Sequence, residues 1–311
     1  MYASNKTNRY IVCGLLIIVL ILLCYLLVKS QTDKENFISS ELSRRTQTQT
    51  KKLAFCFMIY DKIANPNLWE SFFKNVDKSK YQIFIHYKET KPLGWLEEYK
   101  IQDSIETCWG CYSLVEAQLI LAKHALADPN VSHCIWLSGS CIPVKSFDYI
   151  YNFLDQSKSY FNKSPDSQVF PRCNSLVTKI NKSNIKKAAM QSVLNRSHTQ
   201  LLVDNNQFIK DNFSQIKIPD EIAFITTLYH FGKQDELVLT NNQTFGATTY
   251  TCWRDMTNHK DFSASKKKGQ PYNFSFICED EIKAIAKSES LFARKFEDGC
   301  GGLDKLKNYI K

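Results

Sequence analysis

The stretch that decides the fold is Trp109–Leu154, WGCYSLVEAQLILAKHALADPNVSHCIWLSGSCIPVKSFDYIYNFL. Its apolar residues recur at three- and four-residue steps from Leu114 to Leu126, which predicts a helix packed on a sheet. Ser113 and Glu116 have the spacing of a capping box at the start of this helix. Asp128-Pro129-Asn130 ends it, because proline disfavours helical geometry in the preceding residue.

A short buried strand follows this helix. His133–Leu137 is too short for a helix and is bounded by polar residues, which favours a central strand. Ser138-Gly139-Ser140 then places small side chains and backbone N–H donors at the carboxyl end of the strand. Ligands bind at that edge in open α/β sheets, so the stretch predicts a ligand-binding α/β domain.

The chain before this stretch predicts a strand–helix–strand unit. Leu53–Tyr60 and Tyr81–Tyr87 read as buried strands, and Asn65-Pro66 caps a helix over Asn67–Val76. This order indicates a parallel α/β sheet. No GxGxxG and no Walker motif occurs anywhere, which argues against dinucleotide oxidoreductases and P-loop enzymes.

Three further segments predict secondary structure after the quoted stretch, and the last two are rich in carboxylates. Ala188–Asp204 combines a strand-like beginning with a helix-like end. Pro219-Asp220-Glu221 predicts the first turn of a helix that runs to about Phe231. Glu279-Asp280-Glu281 predicts the start of another helix, where acidic side chains complement the helix dipole.

The N-terminal residues predict a membrane anchor. Tyr10–Val28 holds 19 residues without a charge, just long enough to cross a bilayer as a helix. A signal peptide is the alternative, but it would have a shorter apolar region and a small-residue cleavage site. We therefore predict a cytoplasmic tail over residues 1–9, a signal anchor over 10–28, a polar stem over 29–52 and one domain over 53–311, in a single-pass type II arrangement.

Charge and cysteine usage narrow the possible partners. The net charge of +9 is spread, and Lys266-Lys267-Lys268 has no interleaved aromatic residues, so nucleic acid is disfavoured as a partner. A basic domain suits an anionic nucleotide-sugar donor.

Cys108-Trp-Gly-Cys111 has redox-motif spacing, but the order of elements is not thioredoxin-like, and zinc would need a second close pair. Disulfides in a lumenal domain are expected, with pairing left open.

The acidic residues do not form the usual metal-binding motif of sugar transferases. Such enzymes hold a divalent ion on the donor diphosphate with an Asp-x-Asp pair, and this chain contains none. A metal-free enzyme would need basic side chains to neutralise the leaving nucleoside diphosphate.

Four collinear blocks resemble the core-2/I-branching family of glycosyltransferases (glycosyltransferase family 14), most closely its plant-like branch. The blocks cover most of residues 53–296 and agree in order and approximate spacing. They are AFCFMIYDK…YQIFIHYK, the stretch quoted above, AAMQSVLNRSHTQLLVD with IPDEIAFITTL, and TCWRD with KKGQPYNF and LFARKF.

The resemblance implies a GT-A-like, nucleotide-sugar-binding α/β fold with a mostly parallel central sheet and no metal or other cofactor. It implies that Glu221 is the catalytic base and that Lys295 contacts the donor diphosphate. It also implies that Trp253 lines the acceptor pocket. His86, Gly139 and Ser140 fall where the donor nucleotide is expected.

Each of these residues also has a purely structural explanation. Glu221 could complement a helix N-terminus, Lys295 could be solvated, and Trp253 and His86 could belong to the core. Lys88 and Cys141 stand where animal members carry aspartates. The second basic group for the diphosphate is left open among Arg294, Lys266–Lys268 and Lys283.

The sequence therefore predicts an inverting, metal-independent transferase. It would move a sugar, GlcNAc or xylose-like, from a UDP-sugar to a hydroxyl of a glycan or glycoprotein at the Golgi membrane. The alternative is a catalytically degenerate, membrane-anchored module that binds sugar or nucleotide without turnover.

Overall fold

The computed structural model describes residues 29–32, 34, 51–89, 91–169, 172–240, 248–253 and 270–310. Residues 1–50 and 51–311 form separate units. The predicted tail and anchor, residues 1–28, lie outside the described residues, and residues 29–32 and 34 are helical. No helix in the described part of the chain is long and apolar enough to cross a membrane.

Residues 51–311 form a mixed α/β unit, and its strands are numbered in chain order. The strands are β1 Lys52–Ile59, β2 Tyr81–Tyr87, β3 Val131–Ser138, β4 Ile142–Pro143, β5 Ser159–Asn162, β6 Val193–Asn195, β7 Leu237–Thr240, β8 Thr249–Thr251, β9 Phe274–Phe276, β10 Phe292–Arg294 and β11 Phe296–Gly301. The α-helices are α1 Pro66–Phe73, α2 Ser113–Leu126, α3 Phe147–Phe153, α4 Arg196–Asp204, α5 Asn206–Phe213, α6 Ala223–His230 and α7 Glu279–Lys287.

The central sheet has six strands in the order β2-β1-β3-β6-β5-β7. The pairs β1–β2, β1–β3 and β5–β7 are parallel, whereas β6 runs antiparallel to both of its neighbours. The prediction of a mostly parallel central sheet is confirmed. Ile59 pairs with Tyr87 and Met58 pairs with Ser138, so the first three strands end at one edge.

Strand β1 is buried on both faces, which explains its unbroken apolar sequence. Alternate side chains point to opposite sides of a strand. Leu53, Phe55 and Phe57 pack into a core with α1 and α3, whereas Ala54 and Cys56 pack into a second core with α2, α4 and α6. The sheet is therefore covered by helices on both sides.

Two small sheets complete this unit within the described residues. Strand β10 lies between β4, antiparallel, and β8, parallel. Strand β11 pairs with β9. Because β4 directly follows the Ser138–Cys141 turn, the pairing of β10 with β4 brings the end of β10 to the ligand edge of the central sheet.

The predicted element types agree with the structure, but two predicted caps are wrong. The predicted strand over Tyr81–Tyr87 has the same bounds as β2. The capping box fails because Ser113 is already helical and its Oγ accepts from the Cys108 N–H at 3.2 Å. Asn65 precedes α1 without a side-chain cap, because its Oδ1 accepts from the Gly299 N–H at 3.1 Å.

The aromatic core beside β1 gives a stability prediction. The Phe55 ring is fully buried, with ring centroids 5.0 Å from Phe73 and 6.2 Å from Phe147. We expect Phe55→Ala to lower the free energy of unfolding by about 3–5 kcal/mol through lost burial and a new cavity. Denaturant titration measures this change. The exposed Val177→Ala is the control, and we expect it to change stability by less than about 0.5 kcal/mol.

Candidate active site

The carboxylate pair Asp220–Glu221 lies in a 3-10 helix, Pro219–Glu221, rather than in the first turn of a long α-helix. The predicted single helix is therefore divided, and α6 starts at Ala223. The Glu221 N–H donates to the Ile218 carbonyl at 3.3 Å, and the Glu221 carbonyl accepts from the Ala188 N–H at 2.8 Å. Both bonds hold the backbone of Glu221 in place.

Two cations flank the Glu221 carboxylate. Its Oε2 lies 3.3 Å from Arg172 Nη2 and 3.4 Å from Lys187 Nζ. The carboxylate is about 30% exposed, so one side of it is open to an incoming group. Ion pairs of this kind fix the direction in which a carboxylate points. No local motif in the sequence predicts Arg172 or Lys187 as partners of Glu221.

Asp220 is a second, more buried carboxyl. Burial, together with the neighbouring charge of Glu221, raises the pKa of Asp220 to about 6, although Arg294 and Arg172 oppose this shift. Its Oδ1 has no hydrogen-bond partner among the described residues. Asp220 is therefore a carboxyl that changes protonation state near neutral pH beside the predicted base.

Two basic residues, Arg294 and Lys295, are adjacent in the chain, and Arg294 interacts electrostatically with both carboxyls. Arg294 ends β10 and Lys295 follows it, and the Arg294 Nη1 donates to Gln191 Oε1 at 3.2 Å. Burial lowers the pKa of Arg294, and the charges of Glu221 and Asp220 oppose this lowering. Burial and the repulsion from Arg294 lower the pKa of Lys295. Cations held in this way are suited to receive a further anion.

The Ser138–Cys141 turn contacts the segment that carries the basic pair. The Phe296 N–H, next to Lys295, donates to the Ser140 carbonyl at 3.1 Å. Gly139 allows a close backbone approach, because an added Cβ would lie 2.3 Å from the Lys62 carbonyl oxygen. The Gly139 carbonyl accepts from Ala64 at 2.6 Å. The structure thus brings Ser140 and Lys295 together, and Gly139 packs on residues 62–64.

His86 and Trp253 have different surroundings. His86 is 1% exposed, and its Nε2 accepts from the Ile105 N–H at 3.0 Å. Burial lowers the pKa of His86, so the ring is neutral near neutral pH. Trp253 is 40% exposed and follows β8 by two residues. Lys266–Lys268, also considered for the diphosphate, lie outside the described residues.

A narrow crevice without room for a water molecule lies beside the carboxyls. Its lining is mostly apolar apart from the carboxyls and one hydroxyl, and consists of Phe161, Ala188, Ala189, Met190, Ser192, Asp220, Glu221, Phe224 and Ile225. Within the described residues, no group of three or more His, Cys, Asp or Glu side chains could hold a metal ion.

Comparison with known proteins decides the family. A family model described as Core-2/I-Branching enzyme matches residues 53–286, well over half of the chain. The chain belongs to the core-2/I-branching enzyme family. It is similar to Glycosyltransferase BC10 of Oryza sativa subsp. japonica, with 23% identity over 277 residues, which covers 78% of this chain and 67% of the rice protein.

Membership of the core-2/I-branching enzyme family makes the chain a glycosyltransferase and confirms the resemblance drawn from the four blocks. The matched range contains Glu221 with its partners Arg172 and Lys187. It ends before the Arg294–Lys295 pair. The assignment of that pair therefore depends on its position in the structure.

The raised pKa of Asp220 gives a prediction on stability and pH. Its pKa is about 6 in the folded chain against an ordinary value of 3.8, so the folded state binds the proton more tightly. This favourable contribution is complete below pH 3.8 and is lost as the pH rises through about 6. Asp220→Asn carries no charge, so we expect it to be more stable than the parent at about pH 7.5, by up to about 3 kcal/mol.

Thermal unfolding of the parent and Asp220→Asn at both ends of this pH window tests the prediction. We expect the two melting temperatures to converge near pH 4. Asp304→Asn changes an exposed carboxyl and should follow the parent at both pH values. A constant difference between Asp220→Asn and the parent would contradict the prediction.

Proposed function

We propose that this glycosyltransferase moves a sugar, GlcNAc or xylose-like, from a UDP-sugar to a hydroxyl of a glycan or glycoprotein, with inversion and without a metal. The observation that carries the proposal is the arrangement around Glu221. Its carboxylate is partly exposed, and the charge of Glu221 opposes the lowering of the Arg294 pKa by burial, so the two groups lie close enough to interact. In this proposal, the base and a cation for the leaving anion are neighbours.

The reaction would be one in-line displacement. Glu221 takes the proton from the acceptor hydroxyl as that oxygen attacks the anomeric carbon. The bond between this carbon and the diphosphate oxygen breaks, and UDP leaves from the opposite face, so the configuration inverts. Lys295, with Arg294 beside it, stabilises the charge that develops on the diphosphate. The absence of an Asp-x-Asp pair from the sequence supports a role for these cations in place of a metal ion.

The donor would lie along the carboxyl ends of the first three strands, as in a GT-A-like fold. Ser140 and Lys295 are candidates for direct contact with the donor. Gly139 and the buried His86 would act by shaping the adjoining loops, given their contacts with residues 62–64 and Ile105. Trp253 is proposed for the acceptor side, because an exposed ring suits a sugar face.

The same proposal includes the location of the enzyme. The uncharged run over residues 10–28 supports a signal anchor that places residues 53–311 in the Golgi lumen, with residues 1–9 in the cytoplasm and 29–52 as a stem. This single-pass type II arrangement would give the domain access to nucleotide sugars and to glycoprotein acceptors.

The role of Glu221 is tested by UDP release from a panel of UDP-sugars and glycan acceptors. We expect Glu221→Gln to lower kcat by about 10²–10⁴-fold, because an amide cannot take the proton. Glu279→Gln, on the surface at the start of α7, is the matched control and should retain parental kcat. EDTA should leave the parental rate unchanged.

Three results would contradict this proposal in different ways. Full activity of Glu221→Gln would show that Glu221 is not the catalytic base. Loss of activity in EDTA would show that the mechanism depends on a metal ion. Tight UDP binding without transfer to any acceptor would instead support the anchored binding module.

The role of Lys295 is tested by calorimetric titration with UDP. We expect Lys295→Ala to weaken UDP binding about tenfold or more, because a partly buried cation is lost from the diphosphate site. Lys210→Ala removes an exposed lysine on α5, and it should bind UDP as the parent does. Equal affinities of both variants would exclude Lys295 from the donor site.

A further inference from the structure

A four-residue loop closed by a disulfide lies directly before α2. Cys108 and Cys111 are bonded, and the Cys111 N–H donates to the Cys108 carbonyl at 3.1 Å. Between them, Trp109 is 84% exposed and Gly110 has a φ of 75°. We call residues 108–111 the disulfide loop.

The disulfide loop touches the segment that carries Glu221. The Ile218 N–H donates to the Gly110 carbonyl at 3.0 Å, and the Ile218 carbonyl accepts from the Glu221 N–H at 3.3 Å. A Cβ on Gly110 would lie 3.4 Å from Ile218 Cγ1. Ile218 therefore joins the disulfide loop to Glu221, because its N–H bonds to the loop and its carbonyl bonds to Glu221.

Ile218 has an unusual backbone conformation that depends on its neighbours. Its φ of 56° is left-handed, which costs a β-branched residue roughly 1–3 kcal/mol and persists only where neighbours impose it. The bond from the Ile218 N–H to Gly110 and the bond from the Glu221 N–H to the Ile218 carbonyl are two restraints on this position. Release of the loop would let Ile218 relax toward an ordinary conformation and move Glu221.

We infer that the disulfide loop is a positioning element for Glu221, so that an intact Cys108–Cys111 bond is required for full turnover. The inference rests on the proposed role of Glu221 as the base. A displaced Glu221 would lose its alignment with Arg172 and Lys187. The donor cations Arg294 and Lys295 lie on and after β10, which has no direct bond to the loop among the described residues.

Reduction of the bond provides the test. With dithiothreitol, the Sγ–Sγ bond breaks, the two sulfurs receive two electrons and two protons to become thiols, and the reagent closes to its cyclic disulfide. The full chain is assayed oxidised, reduced and reoxidised, and thiol alkylation followed by mass measurement confirms the state of Cys108 and Cys111. We expect reduction to lower kcat about 10–100-fold and reoxidation to restore it.

Variants separate positioning from general destabilisation. Cys108→Ser combined with Cys111→Ser should show the same loss of kcat, insensitive to dithiothreitol, with the UDP dissociation constant within about twofold of the parent. Gly110→Ala keeps the disulfide but strains the left-handed position, and it should also lower kcat. Cys278→Ser removes a partly exposed free thiol away from the loop and should respond to reduction as the parent does.

The outcomes distinguish this inference from the proposed function. An oxidised enzyme that turns over and keeps its kcat after reduction overturns the positioning role alone. Equal losses in kcat and UDP affinity would show a general structural effect and would also overturn it. An oxidised enzyme that transfers from no UDP-sugar overturns both proposals.

Discussion

Burial of β1 on both faces is the constraint on which the rest of this structure depends. A strand covered on both sides must pair in the sheet along both edges, because its backbone polar groups have no access to water. Strands β2 and β3 satisfy these groups, and both run parallel to β1. All three strands therefore end at one edge, where polar turns and loops collect. The site is a consequence of this parallel arrangement.

The second organising feature is the distribution of charge at that edge. Arg294 and Lys295 are partly desolvated, and burial lowers the pKa of both. Asp220 and Glu221 compensate for them only in part, since burial keeps the pKa of Asp220 near 6 and Glu221 is already paired with Arg172 and Lys187. Buried positive charge that is not fully compensated costs free energy of folding, and a bound anion would recover part of that cost.

Much of the fold could be predicted from the sequence, because local patterns encode it. The unbroken apolar run of β1 and the three- and four-residue steps of α2 identified both elements, and Tyr81–Tyr87 was placed to the residue. The errors were in side-chain capping and in the single helix predicted from Pro219, which is divided. Ser113 and Asn65 have the right chemistry for caps, but their side-chain oxygens accept from the N–H groups of Cys108 and Gly299 instead. Tertiary partners thus displaced the local ones.

The sequence by itself determined the α/β class and the family blocks, since each depends on residues that are near one another in the chain. The resemblance in those blocks made Glu221 and Lys295 candidates. Only the tertiary structure decided what surrounds Glu221. Arg172 and Lys187 lie 49 and 34 positions before it in the sequence, and the disulfide loop reaches it through Ile218 from more than 100 positions away. No local period or motif relates such distant positions. They meet because long-range packing, rather than chain proximity, brings these segments to one edge of the sheet.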